Sequence, residues 1–259
     1  MKNKYIQLIR YIVLVGTLFY LQTSHGAQYE STLQWANRAS LSLPVNSIVS
    51  EVIVKPGQHV KKGAVMLLLD QRQFKAKLSA AQAMVTRYKP GRDEAKKELA
   101  RQLELFERTV TSQVELDTAK IDFAEKNALY NNAQALYQQA KIDLEYTELK
   151  APYDLIVIRP RVSVGQTVVN LDLAVPLLDI ADAGVWMASI IVKPEDMQVL
   201  DVGKQVQVAA GKQTLSGTVS MLDAIDDGKG NVRYRVEVNV KADQNDGLWL
   251  GKKVTISWQ

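Results

Sequence analysis

From about Gln71 to Tyr146 the apolar residues fall three and four apart. One run reads Leu78, Ala81, Val85, Tyr88, Arg92, Ala95, Leu99, Gln102, Phe106. The other reads Leu116, Ala119, Phe123, Lys126, Tyr130, Ala133, Tyr137, Ala140, Leu144. The positions between them are mostly Lys, Glu, Gln, Asp and Asn, as on a solvated face. Each run lasts about four heptads, so the spacing predicts two helices packed as a coiled-coil hairpin. Thr109-Val110-Thr111 and Ser112 interrupt the pattern near its midpoint, and Ser112 suits the N-cap of the second arm. Residues 71–108 and 113–146 give two arms of closely matched length. At 1.5 Å per residue each arm reaches roughly 50 Å. Pro90-Gly91 predicts a kink or a split in the first arm.

The flanks have another period. Pro44 to Gly63, then Val65 to Leu69, breaks into short Val- and Ile-rich runs divided by Gly and Pro turns, which predicts short strands in a tightly turning β-sandwich. Ser31 to Trp35 and Ala39 to Leu43 read as strands before it. The sandwich pattern returns after the helices. At one fixed offset Pro44 meets Pro152, Ile48 meets Ile156, Val49 meets Val157 and Val54 meets Val162. Gly57 then meets Gly165, Gln58 meets Gln166 and Val60 meets Val168, so seven of the 17 positions from 44 to 60 are identical. These are turn glycines and inward valines, the residues that fix a strand–turn–strand. They indicate an internal duplication. Neither half can bury its own apolar face, so the halves should pair into one domain with the hairpin inserted between them.

Beyond Asp182 the pattern stays β. Val185 to Val192, Val206 to Ala210, Thr214 to Leu222, Val232 to Ala242 and Val254 to Trp258 read as strands, and Pro194 to Leu200 as a short helix with Pro at its start. Tyr234, Val236, Val238 and Val240 alternate with polar residues, as in a half-exposed antiparallel strand. Asp226 to Asn231 reads as a turn. The segment predicts a small barrel of five or six strands.

Composition narrows the chemistry. Lys and Arg number 32 against 28 Asp and Glu, with no basic-aromatic cluster, which argues against nucleic acid as a partner. There is no cysteine, so disulfides, thiolate zinc sites and thiol catalysis are excluded. Lys2, Lys4 and Arg10 precede an apolar run, Tyr11 to Leu21, and small residues end at Ala27. That is an export signal, cleaved after Ala27 or retained as an N-terminal anchor; the apolar run is short for a membrane span. His59 stands in a turn without neighbouring ligands, the methionines are scattered as core filler, and no metal or cofactor is expected. No catalytic triad, carboxylate pair or phosphate loop appears; Gly228 and Gly230 fit a hairpin turn.

The order half-motif, hairpin, half-motif, barrel resembles the periplasmic adaptor family, the membrane fusion proteins (HlyD and RND-adaptor type) of tripartite efflux pumps. The resemblance is carried by Leu43-Pro44-Val45, Gly57 to Val60, Gly63 and Leu69-Asp70 in the first half. In the second half it is carried by Leu149 to Asp154 and Val164 to Val168, and in the barrel by Gly203 to Val206 and Leu250 to Val254. Ser47 and Leu155 stand where the family usually has Gly. The resemblance implies an α+β, multidomain, elongated fold. Its parts are a split lipoyl-like sandwich (44–70 and 148–182), a hairpin (71–147) and a barrel (183–259) to which strands in 28–43 contribute. The family's membrane-proximal domain is expected to be missing. Gly57, Gly63 and Gly165 are the structural turn residues. Members that dock a TolC-like channel carry Arg-x3-Leu-x6-Ser at the tip, and Arg101, Leu105 and Ser112 satisfy it.

The resemblance further implies a non-enzymatic protein of the periplasm, associated with the inner membrane. It would join an inner-membrane transporter to a TolC-like outer-membrane channel, as a homo-oligomer, hexameric by analogy. An RND transporter is favoured because haemolysin-type secretion adaptors usually have longer hairpins; an ABC-type or type I secretion partner is the alternative. A biotinyl or lipoyl carrier domain would need a modifiable Lys where the long insert lies. A purely structural coiled coil would leave the duplicated halves unexplained.

Overall fold

The computed structural model describes residues 27–171, 173–226, 232–242 and 247–258. The expected export segment before Ala27, and the turn expected over 226–231 beyond Asp226, lie outside the described residues. The described residues form two compact units, those within 38–183 and those within 27–37 and 184–258. The first strand, β1 (Gln28–Trp35), belongs to the second of these.

In the first unit, β2 (Ala39–Leu41), β3 (Ser47–Val52), β4 (His59–Val60) and β5 (Val65–Leu69) precede two long helices. The helices are α1 (Arg72–Glu107) and α2 (Gln113–Glu145). Then come β6 (Glu148–Lys150), β7 (Leu155–Pro160), β8 (Thr167–Val168) and β9 (Leu178–Asp182). Two four-stranded sheets, β2-β9-β7-β4 and β6-β5-β3-β8, form a lipoyl-like sandwich. Met66, Leu67, Leu155, Val168, Leu177 and Ile180 are fully buried in its core. Of the two strands expected in 28–43 to join the barrel, only β1 does so. β2 pairs with β9 of the sandwich, and Leu41 and Leu43 pack on the sandwich core, which draws the strand there.

The duplication is visible as reciprocal hydrogen bonding. Gly57 N–H donates to Val157 O at 2.8 Å, and its repeat mate Gly165 N–H donates to Val49 O at 2.8 Å. Val157 N–H donates to Gln58 O at 3.0 Å, and Val49 N–H to Gln166 O at 2.8 Å. Within each turn the glutamine side chain repeats too: Lys55 N–H donates to Gln58 Oε1 and Ser163 N–H to Gln166 Oε1. Each half thus clamps the other half's strand. Gly57 and Gly165 hold φ of 79° and 87°, left-handed backbone that costs other residues.

Both hairpin arms start from this sandwich. Leu69 N–H donates to Thr147 O at 2.9 Å, and Gln71 Nε2 donates to Thr147 Oγ1 at 2.9 Å. Thr147 is wholly buried and its hydroxyl donates to Leu144 O, so the roots of the arms are tied side by side. Asp70 accepts from the Arg72 backbone N–H, serving one of the orphan donors at the start of α1. Ala81 and Ala95 of α1 and Leu116, Ala119, Ala133 and Ala140 of α2 are buried in the seam. Small residues at these positions let the helices approach closely. The seam also holds charge. Arg92 lies over the Tyr130 ring at 4.3 Å, and Lys126 is half-buried beside Asp122 and Glu125.

Pro90 does not split the first arm; α1 runs unbroken from Arg72 to Glu107 through it. Pro90 is exposed at the rim of a groove it lines with Thr86 and with Gln134 and Tyr137 of α2, and the bond it cannot make is one N–H donation to Thr86 O. The second helix packed alongside carries α1 through. The heptad stripe ends earlier than its spacing predicts. Phe106 is 38% exposed and Leu105 is half-buried, because the helix ends at Glu107, one residue beyond Phe106, and gives it no further turn to pack against.

The second unit is a closed barrel in the order β1-β10-β13-β12-β11-β14. Its further strands are β10 (Val185–Val192), β11 (Gln205–Ala210), β12 (Gln213–Asp226), β13 (Val232–Lys241) and β14 (Lys253–Ser257). β12 is longer than expected because it stays paired with β13 as far as Asp226 opposite Val232. Val236, Val238 and Val240 point inward, as their alternation predicts. The short helix is a 3-10 turn, Pro194–Val199, and Tyr29 reaches it by donating to Asp196 Oδ2 at 2.5 Å.

The reciprocal clamp makes equal demands at Gly57 and Gly165. A Cβ would meet nothing within 4 Å at either, so the cost is backbone strain alone. Gly57→Ala and Gly165→Ala should each destabilise the sandwich by roughly 1–2 kcal/mol. Hydrogen exchange at the Val49 and Val157 amides measures this; clearly unequal losses would show that the halves are not energetically equivalent.

Candidate docking site at the hairpin tip

The turn between the arms is short and well tied. Arg108 ends α1, donating its N–H to Glu104 O, and Val110 N–H donates to Leu105 O at 2.9 Å. Thr109 carries a positive φ of 59°, a conformation forced by the reversal of the chain. Ser112 is the N-cap of α2, and the spacing Ser112–Glu115 forms a full capping box. Ser112 Oγ accepts from Glu115 N–H at 3.3 Å, and Glu115 Oε2 accepts from Ser112 N–H at 2.9 Å. Thr111 Oγ1 lies 2.6 Å from Glu115 Oε2 and 3.0 Å from Gln102 Oε1, joining the turn to α1.

The three residues of the Arg-x3-Leu-x6-Ser spacing all fall on this end of the hairpin. Arg101 is exposed on the last turns of α1, Leu105 is half-buried just before the turn, and Ser112 opens α2. Two of them already have partners. Arg101 Nε and Nη2 bind Glu98 at 3.0 and 2.7 Å, and Glu98 also accepts from Gln102. The Ser112 hydroxyl is engaged by Glu115. An exposed ion pair such as Arg101–Glu98 is worth little, so the guanidinium is released cheaply to a competing acceptor. Ser112 is held more firmly, since releasing it opens the helix cap. The lipoyl-like turn residues lie elsewhere. Gly57, Gly63 and Gly165 are in the sandwich, and Gly63, with φ of 82°, donates its N–H to Ala151 O.

The spacing argument passes over four apolar residues near the tip. Leu103, Phe106, Val110 and Val114 are exposed, Val110 and Val114 to 68% and 74%. Leu103, Val110 and Val114 stand off the heptad stripe, and that was their one readable signal; Phe106 reads as part of the stripe. Far from the tip, Asp179 is buried on the sandwich and takes Arg161 Nε at 2.7 Å, Arg159 Nε at 2.9 Å and Ser40 Oγ at 2.7 Å. The bond from Arg161 holds its carboxyl well below the usual range. Among the described residues no group of His, Asp and Glu is arranged to hold a metal.

The architecture defines a class: a split lipoyl-like sandwich interrupted by a coiled-coil hairpin and joined in sequence to a small antiparallel barrel. Known proteins share it. Residues 70–147 match the family described as the RND MFP alpha-helical hairpin domain. The macrolide export protein MacA of Yersinia pestis is 29% identical over 185 residues, covering 66% of this chain and 50% of MacA. The multidrug resistance protein MdtA of Escherichia coli O139:H28 is 25% identical over 240 residues, covering 84% and 54%. The chain spans about half the length of the curated relatives it matches. The membrane fusion protein Spr0693 of Streptococcus pneumoniae R6 superposes with a TM-score of 0.67 at 13% identity, covering 90% of this chain and 98% of that one. A MacA–MexA chimera with the Pseudomonas aeruginosa MexA hairpin gives 0.64 at 22%, covering 89% and 79%. Residues 70–147 are thus matched by a membrane-fusion-protein hairpin family, and the fold of the chain is shared with these two solved structures.

Hydrogen bonds from the Thr111 hydroxyl and from Ser112 hold the Glu115 carboxyl at about 2, below its ordinary 4.5. A depressed carboxylate contributes stability above its ordinary value and loses it as pH falls toward the folded value. The cap should therefore be intact at neutral pH and loosen between about pH 4.5 and 2. The Ser112 amide chemical shift follows this titration. Glu115→Gln should leave the shift flat over the same range; a titration that survives the substitution would assign it to another group.

Proposed function

We propose that this chain is a non-enzymatic periplasmic adaptor of an efflux pump. It links an inner-membrane transporter, RND type favoured, to a TolC-like outer-membrane channel, and copies assemble into a sealed conduit. It works in the periplasm, associated with the inner membrane. The carrying observation is the hairpin, whose two roots are tied into one duplicated sandwich and whose far end bears Arg101, Leu105 and Ser112. The match of that hairpin to the RND-type family supports the transporter class. Among the described residues no helix is long and apolar enough to cross a membrane.

The tip residues have distinct parts in this reading. Arg101 exchanges Glu98 for backbone carbonyls of the channel, which its planar fork fits. Leu105, with the neighbouring exposed Phe106, supplies the apolar contact. Ser112 keeps the turn closed and presents a small surface where helices approach. The barrel engages the transporter, which supplies the energy of transport.

Crosslinking in cells tests both ends. A cysteine at Leu105 should capture an outer-membrane channel, whereas one at Met84, in the root half of the arm, should not. Arg101→Asp should reduce the channel conjugate by about tenfold, the scale of one lost charge-assisted contact. Capture of a transporter from the barrel surface together with no channel at Leu105 would overturn the tip assignment. An ABC-type protein in the barrel conjugate would replace the RND partner.

A further inference from the structure

The sandwich holds one more cation than its buried acid requires. β2, β9 and β7 are neighbours in one sheet, and the register sets Ser40 and Arg159 on either side of Asp179. Residues directly opposite one another share a face of the sheet. Arg161, two positions past Arg159, reaches the same carboxylate. Asp179 Oδ1 accepts from Arg161 Nε and Ser40 Oγ, and Oδ2 accepts from Arg159 Nε. A buried carboxylate needs a paired charge, and one arginine supplies it. The second leaves a surplus positive charge fixed in place.

The arginines are not spent on this job. Their side chains are 64% and 41% exposed, against 11% for Asp179. Each guanidinium gives Asp179 its Nε–H, and among the described residues neither has another partner. The Nη ends of both forks are open. They are also oriented, because the bond at Nε holds each planar fork and leaves less freedom to lose on binding. Two depressions meet at the pair. One, of about 440 Å³, is lined by both arginines with Arg38, Ser40, Ile158 and Asp179. The other, of about 430 Å³, adds Gln166 and Val175 to the same two arginines. Among the described residues Asp179 is the only acid lining either, and both its oxygens are taken.

Two open forks beside a surplus charge suit an oxyanion that accepts from both at once. One fork already satisfies a carboxylate. A phosphate group offers more acceptor oxygens and about twice the charge. We propose that Arg159 and Arg161, held by Asp179, form a binding site for the phosphate group of a small molecule or of a lipid headgroup. The site lies on the sandwich and does not rest on the adaptor reading.

Inorganic phosphate is the first probe, titrated into the full chain against chloride at equal ionic strength. The Arg159 and Arg161 Nε–H resonances should shift together and saturate, at roughly millimolar phosphate. Shifts that stay linear, or that chloride reproduces, would be bulk screening and would overturn the site. Arg159→Gln should weaken phosphate binding about tenfold at unchanged circular dichroism, the scale of one lost charge-assisted contact. Arg161→Lys keeps the charge and removes the fork, and it too should weaken binding several-fold. Undiminished affinity in both variants would mean diffuse attraction and sink the proposal. Phosphatidylcholine vesicles containing phosphatidic acid separate the two sources. Co-sedimentation that Arg159→Gln abolishes assigns the phosphate to a lipid headgroup. Saturation by inorganic phosphate without co-sedimentation assigns it to a small soluble molecule. Absence of both overturns the site, and co-sedimentation that survives Arg159→Gln counts as absence.

Discussion

The hairpin can point anywhere useful only because its two roots are fixed together, and the reciprocal clamp of the sandwich fixes them. Each half-motif leaves a strand whose backbone partners belong to the other half. Neither half is complete until both have been made, although the whole of α1 and α2 separates them in the chain. Once closed, the clamp holds Leu69 and Thr147 in one hydrogen-bonded pair, so the hairpin begins and ends at one place. The buried Thr147 hydroxyl and the Gln71 amide then set the register of the arms from the root outward.

At the other end, the forces are weaker and local. A capping box, one strained threonine and a hydroxyl bridge from Thr111 turn the chain without a hydrophobic core. Such an end is ordered by polar bonds that solvent or a partner can compete for. Buried apolar contacts hold the root and resist competition. The root is thus anchored on a buried apolar core, whereas the turn is held by exchangeable polar bonds with apolar side chains left exposed around it.

Much of the architecture was legible in the chain. The heptads located both helices, the constant offset from Pro44–Val60 to Pro152–Val168 revealed the paired halves, and alternation at Tyr234 to Val240 gave a barrel strand its facing. Other features were not. The stripe could not show where its own seam stops, because that depends on what stacks above the last turn; hence Phe106 reads as seam and lies exposed. Pro90 reads as a breaker, since local propensity does not register a second helix packed alongside. The Ser112–Glu115 spacing was readable as a box, but its consequence, that the serine is already bound, needed the geometry. Asp179 with Arg159 and Arg161 joins residues from separate segments of the chain, and nothing in their spacing announces the cluster.

Pro90 has one further consequence. Its missing N–H removes one donation to the Thr86 carbonyl, about midway along the first arm. The groove lined by Thr86, Pro90, Gln134 and Tyr137 brings the second arm alongside at that level. The two helices therefore share any bending load there, which in a lone helix with such a gap would concentrate at one point.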